Sequence, residues 1–314
     1  MPIRHLISLA DLDPETLTEL VGRSVHFAGG GAAGYKPLAE RIVGVYFAVT
    51  STRTRTSFTV GALKLGAQVI AYGPNDLQLA TGETLEDTAR VLSGYLDLLV
   101  IRNNTAQEEM RTLARQQRMA VINAMSRQEH PTQGLADLSV LQEAFGKLKG
   151  LHVLYLGEGN NTAVALALAA GQLPGLRVTL ITPEGYGLPA EAVDEAQRLA
   201  GGRAEIEHHH RMDRLPAEVD AVYTTRWQTM GVAHQDPDWR QRFAPYAVTQ
   251  EVMARVSRPG GGTVFLHDLP AMRGEEVADE VLDGAQSLAW RQAEHKMFSA
   301  MAALEWCAGT EPQG

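Results

Sequence analysis

Apolar and polar residues follow two periods along this chain, and the two periods take turns. Short apolar runs of strand length fall at 43–49, 68–72, 98–101, 120–123, 152–156, 178–181, 221–224 and 263–267. Stretches with helical spacing lie between them, at 84–94, 106–117, 131–145, 162–172 and 190–200. Such alternation predicts an α/β protein whose sheets are mostly parallel and covered by helices on both faces. An opening helix has Asp13 as its cap, Pro14 at the first helical position and Glu15 in the first turn. A last long helix runs from about 287 to 306.

The strands fall into two sets, one before about residue 125 and one after about residue 150. At 314 residues the chain is long for one core and comfortable for two domains. The boundary is expected where the helix 131–145 gives way to the turn Gly146-Lys147-Leu148-Lys149-Gly150.

Composition narrows the chemistry. With 45% hydrophobic and 21% charged residues, a sizeable core is available. A formal charge of -9 argues against general nucleic-acid binding, so any small anion must be held by local positive charge. A single cysteine, Cys307, excludes an intrachain disulfide framework and a cysteine-rich zinc site. No signal-like start and no bilayer-length apolar run is present, so a cytoplasmic protein without a membrane partner is expected.

Positive charge is concentrated at Ser51-Thr52-Arg53-Thr54-Arg55, directly after the strand 43–49 and before helical spacing that runs from Ser57 to Leu65. A strand-to-helix junction of this kind is an anion site. Free backbone N–H groups and the positive end of the helix dipole point outward together. Guanidinium forks match phosphate or carboxylate oxygens in pairs. Three further clusters sit at predicted strand ends or helix starts: Arg102, His130-Pro131-Thr132-Gln133 and His267-Asp268-Leu269-Pro270. In open α/β sheets, ligands collect beyond the carboxyl ends of the strands.

The set Ser51-Thr52-Arg53-Thr54-Arg55, Arg102, His130-Pro131-x-Gln133 and His267-x-Leu269-Pro270 resembles the aspartate and ornithine carbamoyltransferases. The resemblance runs in order over essentially the whole chain and includes the helix start Gly82-Glu83-Thr84-Leu85-Glu86-Asp87. It implies two doubly wound parallel-sheet domains, with the C-terminal helix packing back on the first. Residues 1–145 would bind carbamoyl phosphate, 146–286 the acceptor amino acid, and 287–314 would return. Ser51, Thr52, Arg53 and Thr54 would hold the phosphate, and Arg102 and His130 would donate to the carbonyl oxygen. Gln133 and the Leu269 carbonyl would hold the carbamoyl NH2. Lys296 falls where an arginine is usual. A neighbouring subunit's loop, here 75–82 with Gln78, would complete the site, so a homotrimer or a multiple of it is implied. The catalytic set is Arg53, Arg102, His130 and Gln133, with no cofactor and no metal.

The acceptor half is a hybrid. Gly159-Asn160-Asn161 and Thr229-Met230-Gly231 are similar to ornithine-branch motifs, as are Gly274-Glu275-Glu276-Val277 and Gln292-Ala293-Glu294. Yet Thr225 stands where that branch has an aspartate gripping the α-ammonium. Thr225-Arg226-Trp227-Gln228 resembles the aspartate branch instead. Asp268 replaces a cysteine. The expected acceptor-binding set is Asn161, Thr225, Arg226, Thr229, Met230 and Asp268. Asp268 is expected to bind an ammonium or to take a proton. The acceptor is then ornithine or a related diamino acid, the alternatives being an acidic or N-acylated amino acid, or a non-catalytic anion-binding relative.

Other features have plainer readings. Arg55 is expected to make structural contacts, His267 to brace its loop, and Asp87 and Asp137 to bond within their helices. Neighbours among His208-His209-His210 point to alternating faces of a strand and form no single metal site. Gly157-Glu158-Gly159-Asn160-Asn161 lacks the third glycine and the distal acid of a dinucleotide loop.

Overall fold

The structure, a computed structural model, describes residues 3–228 and 233–310. The chain divides into two compact units, Met1–Ser139 with Glu294–Gly314, and Val140–Ala293.

The first unit contains α1 (Pro14–Ala28), β1 (Ile42–Phe47), α2 (Thr52–Lys64), β2 (Gln68–Tyr72), α3 (Leu85–Leu92), β3 (Leu98–Arg102), α4 (Gln107–Leu113) and β4 (Ala120–Met125). The unit boundary falls within α5 (Pro131–Phe145). The strands form a parallel sheet in the order β2-β1-β3-β4. The β-branched and aromatic run of β1 is buried from Val43 to Phe47, as a central strand covered on both faces requires. Tyr46, Leu99, Ile101 and Val121 pack with Leu92 of α3 and Met110 of α4 in one apolar cluster.

The second unit contains β5 (His152–Leu156), α6 (Asn161–Gln172), β6 (Arg177–Ile181), α7 (Ala190–Ala200), β7 (Glu205–His209), β8 (Ala221–Thr224), α8 (Trp239–Phe243), α9 (Gln250–Val256), β9 (Val264–His267) and α10 (Asp279–Leu282). Its parallel sheet runs β7-β6-β5-β8-β9. Every residue of α6 is buried, so its alanine-rich sequence carries no polar face. Gly171 lets α6 approach α7 closely: a Cβ there would stand 2.5 Å from the Ala196 carbonyl oxygen.

The last helix, α11 (Ala289–Cys307), crosses into the first unit at Glu294. There Glu305 takes the Arg23 fork of α1 at 2.7 and 2.8 Å, and His295 meets Ser139 of α5 at 2.8 Å. The expected return of the C-terminal helix to the first domain is therefore present. Among the described residues no helix is long and apolar enough to cross a membrane.

Strand order reverses once in each sheet, between β1 and β3 and between β5 and β8. These are the switch points where loops leave in opposite directions and open a crevice at the carboxyl ends. The anion motif follows β1, Arg102 ends β3, Thr225 follows β8, and Asp268 follows β9.

Several expectations need correction. The second sheet has one strand more than predicted. Its edge strand β7, Glu205-Ile206-Glu207-His208-His209, contains the strand read at the three histidines, which was not counted in the sheet because edge exposure permits polar residues. Arg102 is the last residue of β3, paired with Phe47, rather than the residue after it. Helix α2 begins at Thr52 and takes in the motif from Thr52 to Arg55, with Ser51 as its N-cap. Helix α4 stops at Leu113, because the Gln116 side chain bonds Arg118 N, Met119 N and the Leu113 carbonyl to shape the turn that follows.

Candidate active site

Ser51 occupies the N-cap of α2 in extended backbone, yet its side chain makes no capping hydrogen bond. The caps of α1, α3, α6 and α9 all do so, through Asp13, Thr84, Asn160 and Thr249. The first-turn N–H groups of α2 are thus left without a side-chain cap, with Thr52, Arg53 and Thr54 in that same turn. Arg55 turns elsewhere, its guanidinium 6.0 Å from the Phe47 ring.

Pairing of β1 with β3 sets Arg102 beside this helix start. Arg102, 5% exposed, donates through Nη1 to the Thr54 hydroxyl at 3.3 Å. The same Nη1 lies 3.4 Å from His130 Nε2. Arginine can only donate, so Nε2 accepts and the imidazole proton belongs on Nδ1. Nδ1 is buried, with no partner among the described residues. Burial holds His130 well below the usual histidine range, and the charges of Lys296 and Arg102 push in the same direction. The ring is therefore neutral at physiological pH and offers one N–H.

Gln133, one turn into α5, donates to Asp137 at 2.7 Å, and its carbonyl oxygen accepts from Lys296 Nζ. Lys296 is itself buried. The amide is thereby fixed in orientation, and its oxygen keeps a second lone pair. Asp137 bonds within its helix, as the sequence suggested. Gln78 is exposed on the turn Gln78–Thr81, where its side-chain oxygen accepts from the Thr81 hydroxyl at 2.8 Å.

In the second unit a carboxylate is prepared rather than neutralised. Asp268 follows β9, and its two oxygens accept from the Thr225 hydroxyl at 2.8 Å and the Thr162 hydroxyl at 3.0 Å. His267 is its nearest ionisable neighbour, with Nδ1 3.6 Å away, but that nitrogen accepts the Leu269 N–H at 2.8 Å. The ring proton is then on Nε2, which donates to Glu276 at 3.1 Å, both groups being wholly buried. Gln292 accepts the His267 N–H at 2.8 Å. His267 braces the turn that carries Leu269, whose φ of 53° is a left-handed conformation rare for leucine.

Asn160 caps α6 by accepting from Thr162 N and Ala163 N, and Asn161 opens the helix in a buried position. The preceding glycine allows this turn to form: a Cβ on Gly159 would lie 2.3 Å from the Gly187 backbone. Arg226 is half-buried after β8 and forms no ion pair among the described residues. Trp227 beside it anchors an aromatic cluster with Trp239 and Phe243. Thr229 and Met230 lie outside the described residues.

Thr162, Glu276 and Gln292 orient Asp268 and His267 but were not singled out individually in the sequence. Glu276 and Gln292 lay inside motifs matched only as segments, and nothing in its own neighbourhood marked Thr162. His208 and His210 share a face and both meet the Thr182 hydroxyl, at 2.9 and 3.2 Å.

Residues 4–143 match the carbamoyl-phosphate-binding domain model of the aspartate/ornithine carbamoyltransferases, and residues 149–307 match the Asp/Orn-binding domain model. The chain belongs to the aspartate/ornithine carbamoyltransferase family. Similar curated members include the ornithine carbamoyltransferase of Nostoc sp. (strain PCC 7120), 39% identical over 308 residues and covering 98% of each chain. That of Caldicellulosiruptor saccharolyticus is 38% identical over 314 residues, covering 98% of this chain and 99% of its own. Among solved structures, the ornithine carbamoyltransferase from Pyrococcus furiosus superposes with a TM-score of 0.91 at 33% identity, covering 99% of each chain.

Proposed function

We propose that this carbamoyltransferase moves the carbamoyl group of carbamoyl phosphate to an amine of ornithine or a related diamino acid, releasing phosphate. The observation that carries the donor is the first unit's cluster: an uncapped helix start, a buried arginine and a neutral buried imidazole whose Nδ1–H has no partner among the described residues. Phosphate is held by the first turn of α2 with Ser51, Thr52, Arg53 and Thr54. Arg102 and His130 Nδ1–H donate to the carbonyl oxygen. The amine lone pair attacks the carbonyl carbon, charge gathers on that oxygen, and collapse breaks the C–O bond to phosphate as the amine gives up a proton to the departing phosphate. Donors aimed at the oxygen stabilise the tetrahedral species more than the ground state. The second lone pair of Gln133 and the Leu269 carbonyl accept from the carbamoyl NH2. No covalent enzyme intermediate is required, since positioning lowers the barrier.

The acceptor reading rests on Asp268. Its carboxylate is oriented by two hydroxyls and faces no cation among the described residues, which suits an ammonium. A second carboxylate, as in aspartate, would be repelled there. Asn161, Thr225, Arg226, Thr229 and Met230 are the companion residues, with Arg226 suited to the acceptor carboxylate. Similarity to enzymes named ornithine carbamoyltransferase supports ornithine itself, a reaction that fits arginine biosynthesis.

A homotrimer is proposed on the same grounds. Residues 1–145 form the donor domain and 146–286 the acceptor domain, with Gln78 reaching a neighbour's site. The first unit exposes large apolar side chains at Leu63, Ile70, Val91 and Tyr95, and Ile70 lies on the edge strand β2. An edge strand with an exposed apolar side chain is a surface that a second copy would cover. The donor reading is tested by Arg102→Met and His130→Gln, each expected to lower kcat by roughly 10²–10³. Unchanged kcat in both variants contradicts it.

A further inference from the structure

We infer that Glu129 is a positioning residue for His130, a buried carboxylate clasp that fixes the turn delivering the imidazole to Arg102. The inference rests on the proposed role of His130 and extends it to a group that touches no substrate.

Glu129 immediately precedes His130 and is 1% exposed. One carboxylate oxygen accepts the Leu9 N–H at 2.8 Å, and the other accepts from Gln107 Nε2 at 3.3 Å. These partners come from the N-terminal segment and from the first turn of α4. The same turn is closed on itself. Ser126 N and Oγ both donate to the Glu129 carbonyl, at 2.9 and 3.1 Å, and Glu129 N donates back to Ser126 Oγ at 3.2 Å. At its far side the His130 carbonyl accepts from Gln133 N and Gly134 N, starting α5. His130 therefore stands between a clasped turn and a helix start, and the carboxylate is the part of that clasp that reaches two other segments.

Every partner of the carboxylate is a donor, so the ionised form is the one that satisfies them all. Burial opposes ionisation and lifts the Glu129 carboxyl to about 7 despite those hydrogen bonds. The ionisable group acting on it is Asp11, at the end of the turn Leu9–Asp11, and it raises the value further. Asp11 is paired with Arg111 of α4 at 3.1 Å. The remaining groups are uncharged: Ser8, Gln107 and Ser126, with His130 held neutral. Acid thus loosens the clasp near neutrality while leaving the imidazole unprotonated.

The test uses the full-length protein with isotope-labelled histidine. In the wild type, the His130 ring signals shift with a midpoint near pH 7 without reaching imidazolium values. In Glu129→Gln that shift is absent, kcat falls by roughly tenfold, and KM for carbamoyl phosphate moves by less than about threefold. Glu129→Asp, which keeps the charge on a shorter arm, retains a pH-dependent shift and recovers part of kcat. An unaltered His130 titration or an unchanged kcat in Glu129→Gln overturns the inference. If Glu129→Gln does not fold, loss of the shift in folded Glu129→Asp overturns it as well. His130→Gln is the separate control. Full activity there removes the proposed role of His130, while the histidine titration still reports on Glu129.

Discussion

Replacing Glu276 with alanine removes the acceptor that holds His267. Both side chains are 0% exposed, and one Glu276 oxygen receives two donors, His267 Nε2–H at 3.1 Å and Met272 N–H at 2.5 Å. Alanine leaves both without that partner. A buried donor stripped of its acceptor costs roughly 1–3 kcal/mol. The Met272 side chain is 40% exposed, so water can reach its turn and that term sits at the low end. The expected loss is about 2–4 kcal/mol. Glu276→Gln keeps an oxygen in place and puts its NH2 where Oε2 now has no partner, so its loss is about 1 kcal/mol. Denaturant unfolding followed by tryptophan fluorescence gives the order wild type, glutamine, alanine. His267 also accepts the Leu269 N–H. If the Leu269 carbonyl holds the carbamoyl NH2 as proposed, the alanine variant also raises KM for carbamoyl phosphate. Alanine and glutamine variants of equal stability would refute the claim that Glu276 holds His267 as the acceptor of its Nε2–H.

Asp268→Asn keeps the shape and removes the charge. KM for the acceptor rises by roughly 10–100-fold in steady-state assays, while KM for carbamoyl phosphate moves by less than about threefold. An unchanged acceptor KM counts against the ammonium contact. Lys296→Met removes one of the two charges that depress His130, so the histidine titrates at a higher pH, as NMR will show. The sign for stability follows. A folded pKa below the unfolded 6.5 means that the unfolded chain takes up a proton the fold refuses. The His130 contribution to stability therefore falls as pH drops below 6.5, and the variant loses less of it than the wild type over that range.

Much of the fold was legible because burial writes itself into sequence. Strands covered on both faces, such as β1 and β5, are continuous apolar runs. Strand β7 showed only as a strand at its histidines and not as a member of the sheet, because an edge strand tolerates Glu and His. The donor cluster was legible because its residues sit at strand ends and helix starts, where the motif and the element coincide. The bonds that orient it were not. Lys296 meets Gln133 across 163 positions, and Thr162 meets Asp268 across 106. No local period encodes such pairs. The N-terminal segment that receives Glu129 gave no signal either, because its contribution is a backbone N–H, which every non-proline residue has.

The central claim is carbamoyl transfer to a diamino acid. The direct measurement is the initial rate of carbamoylated product and phosphate from carbamoyl phosphate with ornithine, shorter diamino acids, aspartate and N-acetylornithine. The account predicts equal amounts of product and phosphate with ornithine or a close diamino relative, and little with aspartate or the acylated amine. Preferred turnover of aspartate or N-acetylornithine, or tight phosphate binding with no turnover of any amine, would contradict it.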